Sequence, residues 1–156
     1  MSDRLEWMIE TKEELTCVKL MGPINEDSDF VGLLRLLSSS PWVRMDLAGV
    51  PRINSCGVRE WVNFVRELPE GLNFELENCS PSIINQVNMI SNFVGTAKIL
   101  SVQAPFVCPE CTFEARFELQ VQQGLAPDLP TMSCPQCSSM MEFDDLEDSY
   151  FFFLTR

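Results

Sequence analysis

Four cysteines are spaced for one kind of chemistry. Cys108-Pro109-Glu110-Cys111 and Cys134-Pro135-Gln136-Cys137 form two CPxC knuckles separated by residues 112–133. Each CxxC turn offers two sulfurs to one ion, and a hairpin of this length brings two such turns together. The set predicts one structural Zn²⁺ per chain, held tetrahedrally by Cys108, Cys111, Cys134 and Cys137 with no open coordination position. Disulfides and a thioredoxin-type redox pair are the alternatives. Met1-Ser2-Asp3-Arg4 leads into Leu5-Glu6-Trp7 without the apolar core of an export signal, and seven cysteines leave an odd one over, which disfavours a disulfide framework. A redox CxxC ordinarily stands alone near a βαβ unit, whereas this one is duplicated.

The chain contains no histidine, which removes Cys-His and Ser-His nucleophile pairs and mixed Cys/His metal sites, so an enzyme is not expected. Net charge is −12 and the pI is near 4.3, a balance that repels a phosphate backbone and predicts no nucleic-acid partner. No apolar run approaches the roughly 20 residues needed to cross a bilayer. A soluble, cytoplasmic protein without a membrane partner is the expectation. An apolar content of 46% is enough for a genuine core.

The elements that must carry these residues can be read from periodicity. Trp7 and Ile9, then Thr16, Val18 and Leu20, recur at every second position around Lys12-Glu13-Glu14 and predict an opening hairpin. Asn25, Asp27 and Ser28 offer caps to a helix with Phe30, Leu33, Leu34 and Leu37 on one face, ended by Ser38-Ser39-Ser40-Pro41. Val43, Met45 and Leu47 predict a third strand. A second helix begins near Gly57, with Val58, Trp61, Val62, Val65 and Leu68 on its apolar face. Leu72, Phe74 and Leu76 predict a fourth strand, Ile83, Val87, Ile90 and Val94 a third helix ended by Gly95, and residues 97–102 a fifth strand. The order β-β-α-β-α-β-α-β predicts an α/β fold with a mainly parallel sheet and an antiparallel addition.

Beyond Gln103-Ala104-Pro105 the pattern is organised by cysteines, which sets the expected division into residues 1–103 and a small β zinc-ribbon module over residues 104–156. Phe113, Ala115, Phe117 and Leu119 alternate as a ribbon strand, Met140 to Phe143 predict the return, and an acidic tail from Asp144 ends the chain. This module carries nine acids against Arg116 and Arg156. Phe151-Phe152-Phe153-Leu154 is expected to pack onto ribbon or sheet.

The segment Met45-Asp46-Leu47-Ala48-Gly49-Val50-Pro51-Arg52-Ile53-Asn54-Ser55-Cys56-Gly57 resembles the DLSGV strand and D-S-S/T-G turn of the STAS family, the sulfate-transporter and anti-sigma-factor-antagonist domain. Leu20-Met21-Gly22-Pro23-Ile24-Asn25 looks like the family's LxGxID segment, and Asn78-Cys79-Ser80-Pro81 like its loop before the third helix. The resemblance spans about residues 5–102 and implies a STAS-like fold, a non-enzymatic regulatory role, and a protein partner such as an anti-sigma factor or a serine kinase of the histidine-kinase-like ATPase class. By position, Ser55 matches the family's phosphorylated serine. Asn54, Ser55, Cys56 and Gly57 then form the partner-binding turn. Asn54 replaces the family's aspartate and Cys56 its second hydroxyl residue. The alternatives are Ser55 as a helix N-cap only, in a STAS-like scaffold without a switch, and a zinc-ribbon protein associated with nucleic acid.

Overall fold

The computed structural model describes residues 3–156. Its first eight elements run β1 (Glu6–Lys12), β2 (Leu15–Met21), α1 (Val31–Leu37), β3 (Trp42–Gly49), α2 (Ser55–Glu67), β4 (Asn73–Glu77), α3 (Pro81–Met89) and β5 (Lys98–Ile99). The strands form one sheet in the order β1-β2-β3-β4-β5, with β1 antiparallel to β2 and the remaining pairs parallel. This is the mixed, mainly parallel α/β sheet that the sequence predicts.

Alternation places one face of the sheet against the helices. Val18, Leu20, Val43, Met45, Leu47, Phe74 and Leu76 join Leu33, Leu37, Trp61, Phe64, Ile83, Ile84 and Val87 in a continuous buried core. Trp61 is fully buried, donates from Nε1 to the Phe93 carbonyl at 2.8 Å, and packs against Phe30, Phe64 and Phe93. The opposite face is polar. There Trp42 Nε1 donates to Glu75 Oε1 at 2.6 Å, and the Arg44 guanidinium pairs with the same carboxylate at 3.1 Å while lying 5.3 Å from the Trp42 ring centre.

The third helix and the fifth strand differ most from their predicted extents, while α2 begins two residues early, at Ser55, and the return strand shortens to Glu142–Phe143. The third helix ends at Met89, and the apolar period through Val94 continues into turns in which Phe93 is buried and supplies the carbonyl that satisfies Trp61. The strand predicted over 97–102 divides at Leu100. Lys98–Ile99 pairs with β4, whereas β6 (Ser101–Val107) belongs to a second sheet of order β7-β6-β8, with β7 Glu114–Gln120 and β8 Glu142–Phe143. Position 103 therefore lies inside β6. The Cys79–Val102 bridge and the bonds from Cys79 N to Ser101 O and from Gln103 N to Cys79 O tie this strand to the end of β4.

The C-terminal tail returns to the main body. Helix α4 (Glu147–Tyr150) and a 3₁₀ turn over Phe152–Thr155 bury Tyr150, Phe151, Phe153 and Leu154 in the core beside α3. Asn88 on α3 fixes them with both ends of its amide, donating to the Tyr150 carbonyl and accepting from the Phe153 N–H, each at 2.9 Å. Tyr150 donates to the Gln103 carbonyl at 2.8 Å, and burial pushes its phenol well above the ordinary value. The ribbon keeps its own small core of Ala104, Phe106, Cys108, Cys134 and Met141. Phe143 borders both cores and stacks on Phe151 at 5.6 Å.

Candidate functional sites: the turn before α2 and the four-thiol cluster

The three segments that carry the family resemblance meet at the C-terminal end of β3, where open parallel sheets present their crevices. Ile24 bridges to Ile53, with Ile24 N donating to Arg52 O at 3.1 Å and Asn54 N donating to Ile24 O at 3.2 Å. Ser80 Oγ and Ser82 Oγ at the start of α3 donate to the carbonyls of Val50 and Pro51, both at 2.7 Å. The turn is thus held from both sides before α2 begins.

Asn54 is the N-cap of α2. Its backbone is extended, and its Oδ1 accepts from the Gly57 N–H at 2.8 Å, satisfying one of the donors that a helix start leaves open. Ser55 is therefore the first residue of the helix and not its cap, which corrects the cap-only alternative. Its side chain is exposed, and its hydroxyl hydrogen-bonds to no described protein group. Cys56 is half-buried. Gly57 is buried and shapes the turn through its lack of a side chain: a Cβ there would lie 2.1 Å from the Ile24 carbonyl oxygen.

Glu26 is a site residue that the sequence does not single out. Asn54 Nδ2 donates to Glu26 Oε2 at 2.8 Å, and this hydrogen bond holds the Glu26 carboxyl below the usual glutamate value. Asn54, uncharged itself, thus anchors a carboxylate beside Ser55. The only available signal was an acid following Asn25 in the GPIN segment, and nothing in its spacing marks it as a neighbour of residue 54. Behind the turn, Asp46 accepts from Ala48 N at 2.8 Å and from Asn78 Nδ2 at 3.2 Å, and Asn78 is held in a left-handed conformation at φ 53°.

The four predicted ligands come together. The Sγ atoms of Cys108, Cys111, Cys134 and Cys137 all lie within 4.8 Å of one another, with Cys108–Cys137 at 3.4 Å and Cys111–Cys134 at 3.5 Å. Metal–thiolate bonds of about 2.3 Å in a tetrahedron set sulfurs about 3.8 Å apart. The cluster fits that edge, and its separations are too long for disulfides, whose sulfurs lie about 2.05 Å apart. All seven cysteines are free thiols.

The knuckles repeat one backbone design. Cys108 N donates to Phe113 O and Thr112 N to Cys108 O; Cys134 N donates to Ser139 O and Ser138 N to Cys134 O, all between 2.7 and 2.9 Å. Thr112 and Ser138, each following the second cysteine of its knuckle, adopt φ 64° and 66°, a conformation uncommon outside glycine and asparagine. The two knuckles thus share the same left-handed residue at the equivalent position. Hydrogen bonds from the Ser139 side chain and backbone pull the Cys137 thiol down to about 6, toward the thiolate that a metal requires. For Cys111 the Phe113 backbone N–H favours the thiolate, but burial and the neighbouring thiols outweigh it and push the group up to about 12. Four sulfurs complete a tetrahedral shell, so the site can hold an ion but leaves it no position for substrate.

No helix among the described residues is long and apolar enough to cross a membrane. Neither a family model nor a curated protein matches the chain. Among solved structures it is similar to the crystal structure of an anti-sigma factor antagonist from Mycobacterium paratuberculosis, with a TM-score of 0.50 and 15% sequence identity over 63% of this chain and 88% of that one. The likeness is one of fold: this chain has a STAS-like α/β body, extended by a small cysteine-rich β region.

Proposed function

We propose that the chain is a non-enzymatic docking module of the anti-sigma-factor-antagonist kind, in which the turn before α2 meets a protein partner and phosphorylation of Ser55 switches the contact off. One observation carries this reading: Asn54 caps α2, which leaves the Ser55 hydroxyl exposed and without a structural task. Ser55 and Cys56 are the first two residues of α2, and a helix start accommodates a phosphate through free N–H groups and its dipole. A phosphate adds about −1.5 to −2 charges beside the Glu26 carboxylate, enough to reverse a docking preference without refolding the domain. The partner class is an anti-sigma factor or a serine kinase of the histidine-kinase-like ATPase type, with contacts on Asn54, Ser55, Cys56 and the loop from Gly22 to Glu26. Gly57 serves by letting helix and loop approach. Phosphopeptide mapping of the protein from its native cells tests the proposal. A modified Ser55 supports it, and modification confined to other hydroxyls overturns the switch.

The same reading assigns one structural Zn²⁺ to the thiol cluster, in a cytoplasmic protein. Zinc suits four thiolates in tetrahedral geometry, and a filled shell makes its role stability and not hydrolysis. The acidity of the ribbon counts against a nucleic-acid partner.

A further inference from the structure

The C-terminal region exposes large apolar side chains beside acids that form no salt bridge among the described residues. Leu125, Met140, Leu146 and Phe152 are all exposed, Leu146 to 72%. They line two adjoining grooves. One, of about 620 Å³, runs between the loop at Leu125 and the C-terminal 3₁₀ turn at Phe152. The other, of about 700 Å³, runs between Pro130 and the chain from Met140 to Leu146. Glu147 belongs to the walls of both, so the grooves form one surface that bends around the start of α4.

The charged residues of the walls are all acidic. Glu142, Asp145, Glu147 and Asp148 line them, and no lysine or arginine does. None of the four forms a salt bridge among the described residues. Two bases lie nearby: Arg116 shares a neighbouring pocket with Asp145 but forms no salt bridge with it, and Arg156 lies 5.6 Å from the centre of the Phe152 ring with its guanidinium already committed to the Val87 carbonyl. An apolar floor gives affinity to any greasy segment, but a rim of unpaired carboxylates selects a cation and disfavours an acid. A second copy of this chain is a poor occupant, because it would bring the same acidic rim and a net charge of −12 against its like.

We propose that these joined grooves dock a short basic amphipathic segment of a partner protein, with apolar side chains set on Leu125, Leu146 and Phe152 and flanking Lys or Arg paired with Glu142, Asp145, Glu147 and Asp148. The surface shares no lining residue with the turn before α2, so, resting on the docking role proposed for that turn, the chain can bridge two partners.

A fluorescein-labelled amphipathic peptide of leucine and arginine, titrated with the full chain and read by anisotropy, tests this. Binding should be saturable and weaken as salt rises. Leu125→Ser/Leu146→Ser and, separately, Glu147→Lys/Asp148→Lys should each weaken it at least tenfold. Glu13→Lys/Glu14→Lys, the same charge change in the β1–β2 turn, should leave it within twofold. Circular dichroism confirms that each variant is folded, and the charge pair preserves the test where the serine pair disturbs folding. The proposal is overturned by equal weakening from the Glu13/Glu14 pair, by equally tight binding of a leucine–glutamate peptide, by no binding at all, or by light scattering that shows a dimer which Leu125→Ser/Leu146→Ser converts to monomer.

Discussion

An alanine at position 57 would place its Cβ 2.1 Å from the Ile24 carbonyl oxygen, 2.5 Å from the Ile24 carbonyl carbon and 2.9 Å from the Asn25 nitrogen. All three are backbone atoms, so no side-chain rotation relieves the clash, and α2 must part from the loop after β2 by about 0.9 Å to reach the 3.0 Å limit of real Cβ contacts. That movement pulls on the 3.1 Å bond from Ile24 to Arg52 and the 3.2 Å bond from Asn54 to Ile24. Losing two such bonds costs about 1 kcal/mol each, and the residual overpacking about 1–3 kcal/mol. The better helix propensity of alanine returns at most about 1 kcal/mol. Gly57→Ala should therefore destabilise the fold by about 2–4 kcal/mol, which lowers Tm by about 5–15 °C in a domain of this length. Thermal melting followed by circular dichroism reads the effect directly. An unchanged or raised Tm would refute the reasoning, because local helix propensity alone predicts that sign.

Elemental analysis of protein purified without chelator should return one zinc per chain, and Cys108→Ser should abolish it. Structural zinc contributes on the order of 10 kcal/mol of binding. Because β8 leads into the tail that packs on α3, zinc loss should also raise hydrogen exchange over Tyr150–Leu154, and a protected tail in the variant would contradict the coupling. Asn88→Ala removes both amide bonds to that tail and should cost about 2–3 kcal/mol, seen as a lower urea midpoint; a change under about 0.5 kcal/mol would show that the tail is held by its aromatic side chains alone. Asn54→Ala should move the Glu26 titration, followed by NMR, up toward the ordinary glutamate value. A carboxyl whose folded pKa is depressed stabilises the fold above its unfolded pKa and loses that contribution as pH falls through the folded pKa, so the variant should lose more stability at about pH 7 than at about pH 3. A Glu26 titration unmoved by the substitution would show that Asn54 does not hold it.

Strand and helix order in the main body was legible because buried apolar side chains recur at periods of two and 3.6, as in Val43, Met45 and Leu47 or Ile83 and Val87. The thiol cluster was legible because ligand spacing is a local property of each knuckle. What escaped the sequence depends on contacts between distant segments. The strand break at Leu100 arises because one extended segment serves two sheets, and periodicity does not record a change of partner. The end of α3 at Met89 was hidden because Ile90, Phe93 and Val94 still bury apolar surface from turns. Glu26 joins the turn before α2 only through Asn54, a partner 28 positions away. Packing of residues 151–154 was expected, but their seat beside α3 was not, because Asn88, 62 positions before Tyr150, supplies the polar bonds that hold them there. Thr112 and Ser138 carry no glycine-like mark of the left-handed turns they adopt.

The partner's affinity for three forms of the chain tests the Ser55 switch most directly. With the partner recovered from native cells, titration calorimetry on wild type, Ser55→Ala and Ser55→Asp separates a docking surface from a helix start. The account predicts that Ser55→Asp weakens binding by more than tenfold, about 1.4 kcal/mol or more, while its Tm stays that of wild type and Ser55→Ala binds as wild type does. Equal affinity for Ser55→Asp and wild type would contradict it.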